Sequence, residues 1–444
     1  MKVPAQAPTI SELWRTMRDP ERVAHVLEAS AEWVRSSPPK YLHWEELLRR
    51  QPPGDLTHEE WWLAEKLRRG RGMRALPLRD KGAREFGFCM VDPIPERLHA
   101  IDQGAGGRIQ MPNEIANPDT KDRYYVSSLI EEAITSSQIE GATTTRRVAQ
   151  EMLRTGRAPR DNSERMIANN FRTMQRIGEL KNEALTVDLV LELHRIVTDE
   201  TLDDPSAAGR LRRADEVVAV VGNYGEVYHE PPPAEELSER MDAMCRFANA
   251  ETPDGFVHPA LRSIILHFWL AYDHPFVDGN GRTARALFYW SMLRQGYWLF
   301  EFVSISRAIL ASSTQYGRAF LLTEVDDNDL TYFVLYHLKV IQRAIDELHA
   351  YVERKASEVR SAEALIRTTA TLNHRQRALL GHALRHPGFR YTFASHKNSH
   401  DVVYQTARTD LLQLAELRLL IRERIGRRIT FKVPADLDER LSRA

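Results

Sequence analysis

Apolar positions recur at three- and four-residue intervals over most of this chain, so the pattern predicts helices. Leu261, Ile264, Ile265, Phe268 and Tyr272 form one stripe of a helix expected from Pro259 to Tyr272. Ala284, Leu287, Phe288 and Ser291 share one side of the next helix. Further amphipathic helices are expected over Tyr124–Glu140, Glu164–Asn182 and Val187–Asp199, with a longer one over Leu330–Val359. Strict alternation is rare. Before residue 390 the one strong hairpin signal is Val217–Val221, a turn over Gly222–Gly225, and Glu226–Tyr228, ended by Pro231–Pro233.

Breakers divide the pattern. Pro38-Pro39, Pro52-Pro53-Gly54 and Gly104–Gly107 cut the early part into short helical pieces, and Ile101–Thr120, rich in Gly, Pro, Asn and Asp, reads as a boundary. The expected parts are residues 1–111, 112–365 and 366–444 of a mainly α chain. The first part holds five of the eight tryptophans (Trp14, Trp33, Trp44, Trp61, Trp62), a density typical of core or interface.

With 61 basic and 62 acidic residues in 444, the chain has a net charge of −1 and no overall pull towards nucleic acid or membrane. The last part differs: Thr371–Ala444 carries 14 Lys/Arg against 7 Asp/Glu. Cys89 and Cys245 lie far apart, which fits neither a disulfide framework nor a metal-ligand pair. Without a signal-like N-terminus or a spanning apolar run, the chain is expected to be soluble and cytoplasmic.

The densest chemistry lies in His274-Pro-Phe-Val-Asp-Gly-Asn-Gly-Arg-Thr-Ala-Arg285. Pro275 biases His274 out of helical geometry, and Asp278-Gly-Asn-Gly281 can then turn tightly. A helix restarting near Arg282 aims unpaired amides into that turn, which makes an anion site. Arg282 and Arg285 share a helix face and can add bonds to phosphate oxygens. Asp278 is a hard oxygen ligand suited to Mg²⁺ shared with phosphates, and His274 is the group able to take a proton. Each part alone is commonplace; their order within so short a segment is not.

This segment resembles the signature of the Fic-domain (fido) family, His-x-Phe-x-Asp/Glu-Gly-Asn-Gly-Arg-x-x-Arg, at every fixed position. Gly209–Arg213, the Val217–Tyr228 hairpin, His258-Pro259 to His267, and Ser304–Arg307 through Thr331 resemble the flanking family segments in their usual order. The resemblance implies a helical Fic core with a hairpin flap, preceded by a small helical domain. It implies an adenylyltransferase that moves AMP from ATP to a Ser, Thr or Tyr hydroxyl of a target protein. His274 would be the general base and Asp278 the Mg²⁺ ligand. Gly279, Asn280, Gly281, Arg282 and Arg285 would cradle the phosphates, with Tyr316 on the adenine side. Val218, Ala219, Val220 and Tyr228 of the flap would pair with an extended target strand.

Ser136-Ser-Gln-Ile-Glu140-Gly141 resembles the family's inhibitory sequence, which pairs its glutamate with the second arginine of the motif, here Arg285. Ser136 and Glu140, four residues apart, fall on one helix face. An exposed pair is worth only about 0–1 kcal/mol, so an effective brake needs Glu140 buried against Arg285 in a bidentate pair. In some relatives the same glutamate also positions water to remove AMP.

The last part resembles a winged helix-turn-helix. A helix is expected over His374–His386, a strand over Tyr391–Phe393, a recognition helix around Thr406–Leu414 and a wing over Arg424–Val433 with Gly426 at its turn. Gln405, Arg408, Arg427 and Arg428 suit phosphate and groove contacts with DNA, although such modules also join proteins or copies of one chain. Two other readings stay open: a Fic-type phosphotransferase, and a DNA-binding regulator whose core only senses nucleotide.

Overall fold

The computed structural model describes residues 2–32, 40–106, 118–222, 225–368, 372–386, 388–425 and 428–443. Pro38, Pro39, Trp33, Gly107, the hairpin tip Asn223–Tyr224, Gly426 and Arg427 lie outside them. The chain divides into two compact units, residues 1–109 with 128–345, and residues 110–127 with 346–444.

The first unit opens with α1 (Ile10–Thr16), α2 (Pro20–Glu32), α3 (Trp44–Leu47) and α4 (His58–Gly70). Thr57 fixes the start of α4: its hydroxyl accepts the Glu60 amide while Glu60 reaches back to the Thr57 amide. Trp44, Trp61 and Trp62 bury with Leu47 and Leu63 in one cluster, so these aromatics are core. The chain then forms an antiparallel hairpin that the sequence pattern did not predict, β1 (Met73–Arg79) with β2 (Glu85–Cys89). Pro77 and the flanking arginines mask its alternation. Gly87 is required there, since a Cβ would stand 2.9 Å from the Met73 sulfur and 3.1 Å from the Arg74 carbonyl oxygen.

The chain continues through α5 (Ile94–Ile101), α6 (Pro118–Ile139), α7 (Arg146–Thr155), α8 (Asn162–Leu180) and α9 (Val187–Val197). A short antiparallel hairpin follows, β3 (Val220–Val221) with β4 (Val227–His229); the first strand is shorter than the expected Val217–Val221 and the second is shifted by one residue. Next come α10 (Leu237–Ala248), α11 (Pro259–Asp273), α12 (Asn280–Arg294), α13 (Ile305–Leu310), α14 (Ser313–Glu324) and α15 (Thr331–Thr368). α11 and α12 pack along each other, and α12 also packs on α8 and α9. Residues Ala260–Leu270 and Arg282–Met292 are buried on every side. The predicted one-sided stripes therefore understate these two helices, which are central and enclosed all round. Each fully buried Leu, Ile or Phe there contributes about 1.5–3 kcal/mol. Some polar groups inside pair with one another or with backbone: the Ser263 hydroxyl donates to Ser291 at 2.8 Å, and Arg262 donates to the Phe247 and Thr252 carbonyls.

The second unit contains α16 (His374–Arg385), β5 (Arg390–Tyr391), α17 (Phe393–His400), α18 (Tyr404–Glu416), β6 (Ile421–Ile425), β7 (Arg428–Lys432) and α19 (Leu437–Arg443). β7 lies between β5 and β6, antiparallel to both. Phe393, expected in a strand, instead opens α17. Leu380, Ala383, Leu411, Leu414, Phe431 and Val433 form the core. Buried Asp410 of α18 accepts from Asn373 at 2.7 Å, Arg375 at 2.8 Å and His396 at 3.1 Å, which ties α16 and α17 to α18.

Candidate active site

The segment between α11 and α12 turns on two left-handed residues. His274, with φ 45° and ψ 55°, ends α11, and Gly279, with φ 82°, precedes α12. A non-glycine residue in that conformation is strained by about 1–3 kcal/mol and persists only where its surroundings hold it. They do. Arg212 donates from Nε to the His274 carbonyl at 2.9 Å, and its amide donates to the Pro275 carbonyl at 2.9 Å. The Asn280 side chain closes the turn, accepting the Phe276 amide at 2.9 Å and donating to the Phe276 carbonyl at 2.8 Å. A Cβ on Gly279 would stand 2.6 Å from Thr198 Cγ2, so only glycine fits.

The helix restarts at Asn280, two residues before the expected point, and no side chain caps it. The amides of Asn280, Gly281 and Arg282 therefore open into the turn with the positive end of the helix behind them. His274 is half-buried, and its Nδ1 donates to the Ala271 carbonyl at 3.2 Å, which leaves the Nε2 lone pair outward. Burial lowers the His274 pKa to about 4, so the ring is neutral at pH 7 and can accept a proton. Asp278 is exposed; one carboxylate oxygen accepts the Gly279 amide at 2.6 Å and the other lies 3.1 Å from Arg282.

The two arginines of the motif have different work. Arg282 is buried and donates to the Val197 carbonyl at 3.2 Å and to Asp278, while its Nε is buried without a partner. Arg285 is also buried, between Tyr316 and the α6 end. Its Nε donates to Ser136 Oγ at 2.8 Å, and Nη2 donates to the Ser136 carbonyl and to Glu140 Oε1, each at 2.9 Å. Nη1 is buried without a partner. The structure brings Ser136, Glu140 and Arg285 together but not in the expected form: Glu140 is half-buried rather than buried and uses one oxygen, and Ser136 accepts two further bonds. Burial disfavours the Arg285 charge, and Glu140 outweighs it, so the guanidinium pKa stands above its ordinary value. A Cβ on Gly281 would stand 2.2 Å from Glu140 Oε1, which places that carboxylate directly over the first turn of α12, where an anion would sit.

Tyr316 reaches the back of this cluster. Its hydroxyl lies 2.9 Å from His267 Nε2, and burial pushes it up to about 12 against the opposing pull of Arg285. In the β3–β4 hairpin, Val217, Val221 and Val227 are 90%, 59% and 50% exposed, so both of its arms carry exposed apolar side chains. Val220 is also exposed, while Val218 and Tyr228 are half-buried. His229 anchors the flap base, with Nδ1 2.8 Å from Glu324 and Nε2 2.6 Å from the Tyr272 carbonyl.

The Fic/DOC family model matches residues 184–292, from α9 through most of α12. Over these residues the chain is similar to the Fic/DOC family. Two relatives named "Protein adenylyltransferase Fic" are similar to this chain. The one from Nematostella vectensis is 29% identical over 166 residues, 37% of this chain and 34% of its own length. The one from Culex quinquefasciatus is 36% identical over 117 residues, 26% of this chain and 21% of its own. The chain spans about a third or less of the length of these curated relatives. A crystal structure of a Fic family protein from Desulfovibrio desulfuricans has the same fold, with 20% identity and a TM-score of 0.53 over 78% of this chain and 97% of that one. Around this site, sequence reasoning assigned no role to His194, Arg212 or His267. A histidine or arginine that meets a group on a distant element leaves no spacing to read.

Proposed function

We propose that this chain transfers AMP from ATP to a hydroxyl of a target protein, and that Glu140 holds the site inactive. One observation carries this reading: a helix N-terminus and the unpartnered Nη1 of Arg285 converge on the place now taken by the Glu140 carboxylate. An anion that displaces Glu140 would satisfy both. The His274 Nε2 lone pair opens from the other end of the same turn.

In the reaction, His274 Nε2 takes the proton of the target hydroxyl as its oxygen bonds to the α-phosphorus. The bond from that phosphorus to the pyrophosphate oxygen breaks, and pyrophosphate leaves with the electron pair. Turn amides of α12 and Arg285 carry the charge on the phosphate chain. Among the described residues no three His, Cys, Asp or Glu side chains gather as a metal cage. Exposed Asp278 still fits Mg²⁺, which takes one or two carboxylates and completes its shell with phosphate oxygens and water. There the ion would neutralise phosphate charge. The exposed valines of the flap suit an extended target segment added as a strand.

Incubating the wild-type, Glu140→Gly and His274→Ala chains with α- and γ-labelled ATP and Mg²⁺ tests this. Label on protein from α-ATP alone, strongest in Glu140→Gly, is expected. Label from γ-ATP alone would mean phosphotransfer, and label from neither would leave a nucleotide sensor. Release of AMP from labelled protein, dependent on Glu140, tests the second role of that carboxylate.

A second reading concerns the C-terminal unit. Tyr404, Gln405, Arg408 and Thr409 are exposed at the start of α18, and Arg422, Arg424 and Arg428 are exposed on the β6–β7 hairpin, while the acidic Asp410 of that helix is turned inward and paired. This pattern supports DNA binding through residues 371–444. Titration of a labelled duplex at several salt concentrations should give a salt slope that drops by about one in Arg408→Ala; salt-independent or absent binding favours a protein partner or a second copy. We also place the chain in the cytoplasm. Both cysteines are buried free thiols, and among the described residues no helix is long and apolar enough to cross a membrane.

A further inference from the structure

The turn before α12 is held by a histidine that the proposed reaction does not use. His194 is fully buried on α9. Its Nδ1 accepts the Gly209 amide at 2.9 Å, and since a backbone N–H can only donate, the ring proton must sit on Nε2. Nε2–H then donates to the Asp278 carbonyl at 2.9 Å. The ring lies flat on Phe276, with centroids 3.7 Å apart and planes 7° apart. Both nitrogens are engaged, so His194 touches neither nucleotide nor metal.

Its contacts reach both ends of the motif. Gly209 begins the loop that carries Arg212, which grips the His274 carbonyl, and Asp278 is the last residue before the anion turn. The Asp278 carbonyl belongs to the peptide whose amide is Gly279 N, so fixing that oxygen fixes the plane from which the amides of Asn280 and Gly281 are aimed. We propose that His194 is the positioning residue of the anion turn: its Nε2–H, through the Asp278 carbonyl, sets the direction of the Asp278 carboxylate and of the α12 amides. This rests on the nucleotide reading above.

Three substitutions separate direction from bulk. Glutamine can place an amide donor where Nε2 stands, asparagine can place an acceptor where Nδ1 stands, and phenylalanine keeps only the ring. Each is made in the Glu140→Gly chain and read by calorimetric binding of a non-hydrolysable ATP analogue with Mg²⁺, with the melting temperature without nucleotide as the folding control. His194→Asn and His194→Phe should weaken binding by about tenfold or more, and His194→Gln should stay within about threefold, the range expected when a supporting hydrogen bond is lost or kept. Equal losses in all three, or no loss in Asn and Phe, overturn the proposal. If the Glu140→Gly parent binds the analogue but transfers no AMP, the reaction reading fails while His194 is still tested. A parent that binds no analogue overturns both.

Discussion

Two helices of this protein begin just after a left-handed residue, and they present different chemistry. α12 follows Gly279, and α18 follows Asp401, at φ 48°, by three residues. The start of α12 is enclosed: Arg282 and Arg285 are buried, Asn280 closes the turn, and a buried guanidinium nitrogen lacks a partner. The start of α18 is open, with Val403 68% and Tyr404 54% exposed, and its buried acid is fully paired. A helix N-terminus alone therefore says little. At α12 an unpartnered guanidinium nitrogen beside uncapped amides suits a small anion, whereas the exposed side chains at α18 suit a large partner.

The contrast can be broken at several points. In the Glu140→Gly chain, His274→Ala should cut AMP transfer by about 10²–10⁴-fold with nucleotide affinity nearly unchanged; retained transfer in a folded variant would remove the histidine from the chemistry. Asp410→Ala leaves Arg375 and His396 without their shared acceptor, so it should destabilise the C-terminal unit by about 3–5 kcal/mol in urea titrations and leave AMP transfer intact. Acid should destabilise the first unit. Burial holds His43, His194 and His274 down at about 4, below the unfolded value near 6.5, so unfolded chains bind more protons between those limits. The stability of neutral, buried rings is present above about pH 6.5 and is lost as pH falls towards 4, which denaturation midpoints at pH 7 and pH 5 will show. Ser136→Ala, which removes one of three bonds to Arg285, should release the brake by only about 1 kcal/mol, less than Glu140→Gly. Equal release by both would mean that Ser136 rather than Glu140 restrains the arginine.

What could be read from the sequence follows from how local each feature is. The motif, the α11 and α12 helices and the helix-turn-helix order are contiguous patterns, and each stands close to its expected place. The Ser136–Glu140–Arg285 grouping came from resemblance across 145 positions, but its hydrogen bonds did not, because which oxygen meets which nitrogen depends on where α6 ends. The β1–β2 hairpin stayed hidden because Pro77 breaks its alternation and Gly87 serves a neighbour at Asn328 and Leu330. His194 looked like any polar position in an amphipathic helix, since its partners, Gly209 and Asp278, lie 15 and 84 positions away.

The backbone of His274 has its own consequence for experiment. The proposed proton acceptor also stands at the hinge between α11 and α12, in a conformation that asparagine enters more readily than other side-chain-bearing residues. Alanine there deletes an imidazole and loads the hinge at once. Comparing Asn with Ala at 274 therefore splits the two: whatever melting temperature asparagine keeps and alanine loses belongs to chain geometry, and the rate missing from both belongs to the ring.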